Sequence, residues 1–307
     1  MAERICFLGR GGSGKSTVAQ NLSHALANKG YHVLLVGNDL SLSSTVLLRG
    51  EAAVLPALEA YRERYEIDLN DYILPTNSGV WCLELGSIDP GVGCLARGVS
   101  VIDEMLDTQG ITNSLQLDYV LYDISGETPC TGYILPLREG LMQRCIIVTN
   151  CSFAAVAAAN SLLLAVQRNM GEKALPIQLF VNNADCCETK SKLTEFAKKT
   201  NIEVLAFLDY DKYLEYASLA GYTIFAADAQ AAAAKTIAHI ADCLTAPVSA
   251  ATPTPFSREA LLLWLRDWQK RELARRLSLE GLELAQTPRE NAALQQAPSA
   301  HEASAYV

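Results

Sequence analysis

The sequence has little positive charge and no long apolar run. Its 25 lysines and arginines stand against 34 aspartates and glutamates, a net charge of −9. Because non-specific nucleic-acid binding depends on a basic surface, we expect no nucleic-acid partner. No stretch reaches the roughly 18 uninterrupted apolar residues that a membrane helix requires, and the N-terminus lacks the layout of a secretory signal. We therefore expect a cytoplasmic protein with no membrane partner.

The sequence also lacks the cysteine spacing of a zinc ribbon. Its nine cysteines include no C-x-x-C pair. An odd number of cysteines without an export signal argues against a disulfide framework, because the cytosol keeps thiols reduced. Cys6, Cys82 and Cys145 lie in apolar runs and are expected to be small core residues. Half of the 307 residues are apolar, which is enough for a sizeable globular core.

The most informative segment is a glycine-rich loop near the N-terminus. It reads Gly-Arg-Gly-Gly-Ser-Gly-Lys-Ser-Thr and follows the apolar run Arg4–Leu8, while residues with helical spacing come after it. Glycines in such a loop let successive N–H groups converge on one anion, and the following helix directs its positive end to the same place. The predicted nucleotide-binding residues of the loop are Gly9, Gly11, Gly12, Ser13, Gly14, Lys15, Ser16 and Thr17.

Four polar side chains carry the expected chemistry. Lys15 is expected to reach the outer phosphates, and the Ser16 hydroxyl is expected to bind Mg²⁺. The apolar run 119–122 ends in Asp123, which is typical of the Walker-B aspartate that holds Mg²⁺ directly or through water. Asp39 follows a second short strand, and ligands of α/β proteins lie at the carboxyl ends of strands. The polar residues 41–45 then fit either a switch loop or a helix cap.

The rest of the chain predicts repeated strand–helix units. Strands are expected at residues 4–8, 32–36, 80–85, 117–122, 145–149, 177–181 and 204–208. Helices are expected at residues 18–26, 52–65, 99–106, 153–169, 190–199, 213–219 and 226–244. Such repeats predict an α/β P-loop NTPase fold, a mainly parallel sheet with helices on both faces. We expect this domain to span residues 1–245, followed by a linker at 246–256, an amphipathic helical extension at 257–284 and a disordered tail at 285–307.

Five groups of residues together form a distinctive set. They are Gly9–Thr17 with 20–22, Val36–Asp39 with 44–45, Pro90–Cys94 with 97–99, Tyr122–Gly126 with Cys130, and Pro136–Glu139. Over nearly 245 positions this set resembles the nitrogenase iron protein family. Its relatives include the ATP-dependent reductase subunits of dark protochlorophyllide reductase, of chlorophyllide reductase and of the nickel-tetrapyrrole reductive cyclase. The Pro-Gly-Val-Gly-Cys segment together with the later cysteine is its most specific part.

The resemblance implies a homodimer in which Cys94 and Cys130 of each subunit bind one shared [4Fe–4S] cluster. A cubane takes four thiolates, and a twofold axis doubles two into four. It further implies that ATP, bound with Mg²⁺, drives electron transfer to a nitrogenase-like catalytic component, with ferredoxin or flavodoxin as the electron source. Arg97 and Arg138 would dock that partner, and Asn182 would contact adenine.

The sequence departs from the family pattern at three places. Arg10 replaces the signature lysine of the loop, and its planar fork is not equivalent to a point charge. After the second strand the chain keeps Asp39, Ser44 and Thr45 but lacks a lysine and a second aspartate. Glu127 stands where the family has an aspartate, so we expect a divergent relative with its own partner. The catalytic candidates are Lys15, Asp39, Asp123, Glu127 and Arg10.

Two other functions stay open. A cluster-free dimeric ATPase switch, like the partition and septum-positioning proteins, would share the loop and the fold. It predicts DNA binding or a membrane-binding amphipathic end, but it leaves Cys94 and Cys130 without a role. An iron–sulfur carrier ATPase would instead pass its cluster to an acceptor.

Overall fold

The computed structural model describes residues 2–86, 95–124, 137, 140–170, 175–184 and 186–281, and of residues 95–97, 170 and 280 only the backbone. Several residues singled out above therefore lie outside the described residues: Cys94, Glu127, Cys130, Arg138 and the side chain of Arg97.

One sheet organises the described part of the chain. Its strands are β1 (Glu3–Leu8), β2 (Val33–Asn38), β3 (Leu74–Pro75), β4 (Val80–Glu84), β5 (Tyr119–Ile124), β6 (Arg144–Thr149), β7 (Ile177–Ala184) and β8 (Glu203–Asp209). They lie in the order β3-β4-β2-β5-β1-β6-β7-β8. All neighbouring pairs are parallel except β3 with β4, so the predicted mainly parallel sheet is confirmed.

Helices cover both faces of this sheet. They are α1 (Lys15–Asn28), α2 (Val46–Arg49), α3 (Ala57–Arg64), α4 (Leu95–Thr108), α5 (Ile111–Ser114), α6 (Phe153–Met170), α7 (Cys187–Lys199), α8 (Lys212–Leu219), α9 (Ile224–Asp228), α10 (Ala232–Thr245) and α11 (Arg258–Glu280). Adjacent residues of a strand face opposite sides. Accordingly, Leu121 of β5 belongs to the core cluster that includes Leu22 of α1, whereas Tyr122 bonds to Asp103 of α4.

Three expectations need correction. Strand β2 runs on through Asn38 and β5 through Ile124, so Asp123 lies inside a strand and Asp39 directly after one. The helix expected at 226–244 is two helices, α9 and α10. Helix α9 is anchored at its start, because Thr223 caps it and the Ile224 N–H donates to Asn21 Oδ1 of α1 at 2.8 Å.

The expected burial of the strand cysteines is confirmed. Cys6, Cys82 and Cys145 are all fully buried in the sheet. In the described ranges, no helix combines the length and apolar character needed to cross a membrane.

A buried ionic cluster joins β1, β5 and α4. Arg4 Nε donates to Asp103 Oδ1 at 2.6 Å, and its Nη2 donates to Asp107 Oδ2 at 2.7 Å. The Tyr122 hydroxyl donates to the same oxygen of Asp103. Burial raises the pKa of the Tyr122 hydroxyl well above its ordinary value. The cluster ties the strand that enters the phosphate loop to the helix that begins directly after Cys94.

The chain divides into two compact units, Met1–Arg258 and Glu259–Val307. In the described part of the second unit, Glu272 of α11 pairs with Arg275 at 2.7 Å and with Arg276 at 2.6 Å. Helix α11 ends at Glu280, four residues before the predicted end. The predicted limits of linker and tail stay predictions.

Candidate functional site

The glycine-rich loop connects β1 to α1 at the carboxyl edge of the sheet. Gly12 and Gly14 have φ values of 77° and 86°, in the left-handed region that favours glycine. A Cβ at Gly9 would overlap the carbonyl oxygen of Val148, and one at Gly14 would overlap the amide nitrogen of Asn182. No side chain caps α1, so its first N–H groups are available to an anion. The loop therefore has the form of a phosphate cradle that side chains would fill.

Gly14→Ala is expected to lower MgATP affinity by at least about 100-fold, because the added Cβ displaces Asn182 and the φ of 86° is strained. Gly30→Ala is the matched control: its φ is 89°, but nothing lies near its Cβ. It should lower the melting temperature without changing MgATP affinity. Calorimetric titration of both variants checks this, and equal affinities would contradict the cradle.

The structure brings Lys15 and Asp123 together. Lys15 Nζ lies 3.0 Å from Asp123 Oδ1, and the Ser44 hydroxyl donates to Asp123 Oδ2 at 2.7 Å. The aspartate is 1% exposed and the lysine 8%. The topology explains the meeting, because β5 lies between β1 and β2 in the sheet. One buried carboxylate thus links the phosphate loop to the segment that follows β2.

Asp39 is held by its own segment. Ser41 Oγ and Ser43 Oγ donate to Asp39 Oδ2 at 2.5 and 2.8 Å. Burial raises the pKa of this carboxyl, but the two serine hydrogen bonds and the charge of Lys15 outweigh burial, so the net pKa lies below the ordinary value. Asp39 is therefore ionised at neutral pH. Thr45 directly precedes α2, but its side chain makes no capping hydrogen bond to that helix. The interpretation of residues 41–45 as a helix cap is therefore wrong.

A carboxyl that sequence reasoning missed lies next to this segment. Glu84 ends β4 and is fully buried. Its Oε1 accepts hydrogen bonds from the Thr45 N–H at 2.8 Å and from the Thr45 hydroxyl at 2.7 Å, while Oε2 has no partner among the described residues. Burial raises the pKa of Glu84 to about 7, against the Thr45 hydrogen bonds that lower it. In the sequence, the signal that could have identified Glu84 is an acidic residue at the end of an apolar strand.

Asn182 lies at the carboxyl end of β7, and its Nδ2 donates to the Ser13 carbonyl at 3.1 Å. Beside it is a cavity of about 10 Å³, which has room for about one water molecule. The contact of Asn182 with adenine stays a prediction. The cavity is lined by Thr17, Val18, Asn21, Leu22, Phe180, Asn182, Leu208, Leu214 and Ile237.

The other candidates are placed as follows. Arg10 and Gly11 are exposed at the start of the loop, and Ser16 and Thr17 are partly buried in the first turn of α1. Ser13 Oγ is buried and has no hydrogen-bond partner within the described ranges. Within the described ranges, no three His, Cys, Asp or Glu side chains form a group that could hold a metal ion. The predicted cluster ligands lie outside those ranges.

The fold and the cradle define the class: this is a P-loop NTPase. The cell division ATPase MinD of Pyrococcus furiosus has a similar structure, with a TM-score of 0.60 and 19% identity over 80% of this chain and 98% of that one. A ParA family ATPase from Chlorobium tepidum TLS aligns with a TM-score of 0.58 and 21% identity, over 80% and 99%. At such identities the likeness shows the fold alone.

Within that class the family is specific. Residues 3–271 match the family of 4Fe-4S iron sulfur cluster binding proteins, NifH/frxC, and the chain belongs to this family. It is 31% identical over 269 residues to nitrogenase iron protein 2 of Paenibacillus durus, covering 87% of this chain and 92% of that protein. It is also 31% identical to the nitrogenase iron protein of Methanococcus voltae, over 84% and 94%.

Proposed function

We propose that this protein is a homodimeric, ATP-dependent reductase. It couples MgATP hydrolysis to electron transfer from a [4Fe–4S] cluster, shared between two subunits, to a nitrogenase-like catalytic component. A ferredoxin or flavodoxin supplies the electron. Membership of the family supports an ATP-dependent, reductase-like activity in general terms. The observation that carries the proposal is the buried pair of Lys15 and Asp123, which joins the cradle to the strand leading to Cys130.

The chain's own residues divide the work on the nucleotide. The cradle amides and Lys15 bind the phosphates, and the orphaned Ser13 hydroxyl gives a further donor at the same loop. The Ser16 hydroxyl would bind Mg²⁺, and Asp123 would hold the ion directly or through water. Asp39, ionised and held by two serines, orients the attacking water. Exposed Arg10 is the candidate to reach the phosphates bound to the partner subunit.

Coupling follows from chain connectivity. Asp123 and Cys130 are seven residues apart in sequence, so one short segment runs from the magnesium-sensing carboxylate to a cluster ligand. In the sequence, Cys94 is the residue immediately before α4, which begins at Leu95. Segments that a γ-phosphate orders are a standard switch. Glu127 lies in this segment, and Arg97 and Arg138 are the proposed docking residues.

The cluster supplies the low-potential electron when bound, and two cysteines from each subunit give the four thiolates that it needs. The thiolates of Cys94 and Cys130 therefore fit a [4Fe–4S] cluster in number and type, although both cysteines lie outside the described residues. The cluster-free alternative gains no functional support from MinD and ParA, because those similarities show the fold alone. A carrier would differ by transferring its cluster to an apo-acceptor.

Anaerobic purification with iron analysis and electron paramagnetic resonance tests the proposal. About four irons per dimer are expected, and Cys94→Ser or Cys130→Ser should lose nearly all of them. Cys187→Ser, at an exposed cysteine of α7, is the matched control and should keep the cluster. Iron-free protein with full ATPase activity would contradict the proposed function. Rapid transfer of the cluster to an apo-protein would favour the carrier.

A further inference from the structure

The buried carboxyl of Glu84 is unusual in its surroundings. One oxygen accepts both hydrogen bonds from Thr45, and the other has no hydrogen-bond partner in the part of the chain that the structure describes. The unpartnered oxygen packs on Gly37, where any Cβ would overlap it, and near the Cβ of Ser44. A fully buried carboxyl with one orphaned oxygen has a cost that a purely structural residue would avoid.

The position of Thr45 connects this carboxyl to the nucleotide edge. Its neighbour Ser44 donates to Asp123, whose other oxygen is paired with Lys15. The two consecutive residues 44 and 45 are therefore held on both sides, to β5 through Asp123 and to β4 through Glu84. If Thr45 is released, the Ser44 hydroxyl is no longer fixed against Asp123.

Few charged groups face Glu84. Asp123 on β5 is a like charge, and Arg49 on α2 is an opposite charge whose Nε donates to Thr45 Oγ1 at 3.2 Å. Cys82 lies two residues earlier on β4, and burial together with the Glu84 charge raises the pKa of its thiol. No cation among the described residues forms a direct ion pair with Glu84. The strength of the two hydrogen bonds from Thr45 to Glu84 therefore depends on whether Glu84 is ionised.

We propose that Glu84 is a positioning residue that holds the Ser44–Thr45 segment for nucleotide binding, and that its proton sets how tightly the segment is held. This rests on the proposed function, since it concerns the same nucleotide site. Hydrogen bonds to an ionised carboxylate are roughly twice as strong as those to a neutral acceptor. Ionised Glu84 therefore fixes the segment, and protonated Glu84 loosens it.

The titration falls in the physiological range. Because burial raises the pKa of Glu84 to about 7, the ionised fraction increases as pH rises from 6 to 8. MgATP affinity should increase in the same direction. The free energy of unfolding should change in the opposite direction. Because the pKa of Glu84 is raised in the folded state, the stability that its protonated form contributes is lost as pH rises through that pKa. The two readouts together separate positioning from a general effect on folding.

Glu84→Gln tests this inference, because glutamine keeps an acceptor for Thr45 but cannot ionise. Between pH 6 and pH 8, MgATP affinity of the wild type should rise about fivefold more than that of the variant. ATP itself also titrates, but its contribution is the same for both proteins and cancels when their affinities are compared under the same conditions. Glu63→Gln removes the same charge at an exposed position of α3 and should keep the wild-type profile.

Hydrogen exchange at the Thr45 amide gives a second readout, without nucleotide. Its protection, corrected for intrinsic exchange, should be several-fold greater at pH 8 than at pH 6 in the wild type and unchanged in Glu84→Gln. If both proteins bind MgATP with the same pH profile, this inference is overturned while the proposed function stands. If the wild type binds no MgATP, both are overturned. If Glu84→Gln folds poorly, Thr45→Ser, which keeps both donors to Glu84, is compared with Thr45→Val, which keeps only the N–H. The pH dependence of MgATP affinity should be retained in the first and reduced in the second, and equal profiles would overturn the inference.

Discussion

Replacement of Lys15 by glutamine is expected to lower kcat/KM for MgATP hydrolysis by at least about 100-fold. Removing one preorganised donor from a site where charge develops costs on the order of 10²–10³ in rate. Lys15 is the charged donor of the cradle and is almost fully buried. Steady-state ATPase assays on the purified dimer measure the loss.

The same substitution leaves Asp123 buried with only Ser44 as a partner. Breaking one side of a buried pair destabilises folding by about 3 kcal/mol or more, so the melting temperature must be measured in parallel. The double variant Lys15→Gln with Asp123→Asn removes both charges. It should recover much of the stability and none of the hydrolysis, which separates the catalytic loss from a folding defect.

Lys29→Gln is the matched control for this prediction. Lys29 pairs with Asp242 at 2.7 Å on the surface, away from the cradle. Exposed pairs contribute at most about 1 kcal/mol, and hydrolysis should be unchanged. Wild-type hydrolysis by Lys15→Gln would show that Lys15 does not bind the transferred phosphate.

Local patterns were sufficient to predict the class and the cradle. Alternating βα units and the flanks of the glycine loop depend on residues close in sequence, and the parallel sheet that they predicted is observed. The sequence assigned Lys15 and Asp123 to one nucleotide site, but it did not predict their ion pair, which the strand order of the sheet brings about. Family membership followed from segments outside the loop.

Long-range contacts could not be predicted in this way. The hydrogen-bond partner of Glu84 is Thr45, 39 residues away in sequence, and no local pattern indicates that bond. The start of α9 is held by Asn21 of α1, whose Oδ1 accepts a hydrogen bond from the Ile224 N–H across 203 residues of sequence. Short antiparallel β3 contains Pro75 and pairs over only two residues, which leaves no periodic signal.

The buried cluster around Arg4 leads to the largest expected loss of stability. Asp103→Ala should lower the free energy of unfolding by about 3–5 kcal/mol, because it leaves Arg4 buried with one remaining partner. The Tyr122 hydroxyl loses its acceptor in the same step. Urea denaturation of the full chain near pH 7 measures the loss.

Asp107→Ala separates burial from pairing. Asp107 also pairs with Arg4, but its side chain is 54% exposed, whereas that of Asp103 is 3% exposed. The expected cost is therefore at most about 1 kcal/mol. Replacing the pair itself, with Arg4→Met and Asp103→Leu, should recover most of the stability because no buried charge is left unpaired. Similar losses in Asp103→Ala and Asp107→Ala would show that burial does not set the cost. The variant with Arg4→Met and Asp103→Leu would then reveal whether α4 needs this ionic contact or only its packing. The answer bears on the nucleotide site, because Tyr122 directly precedes Asp123.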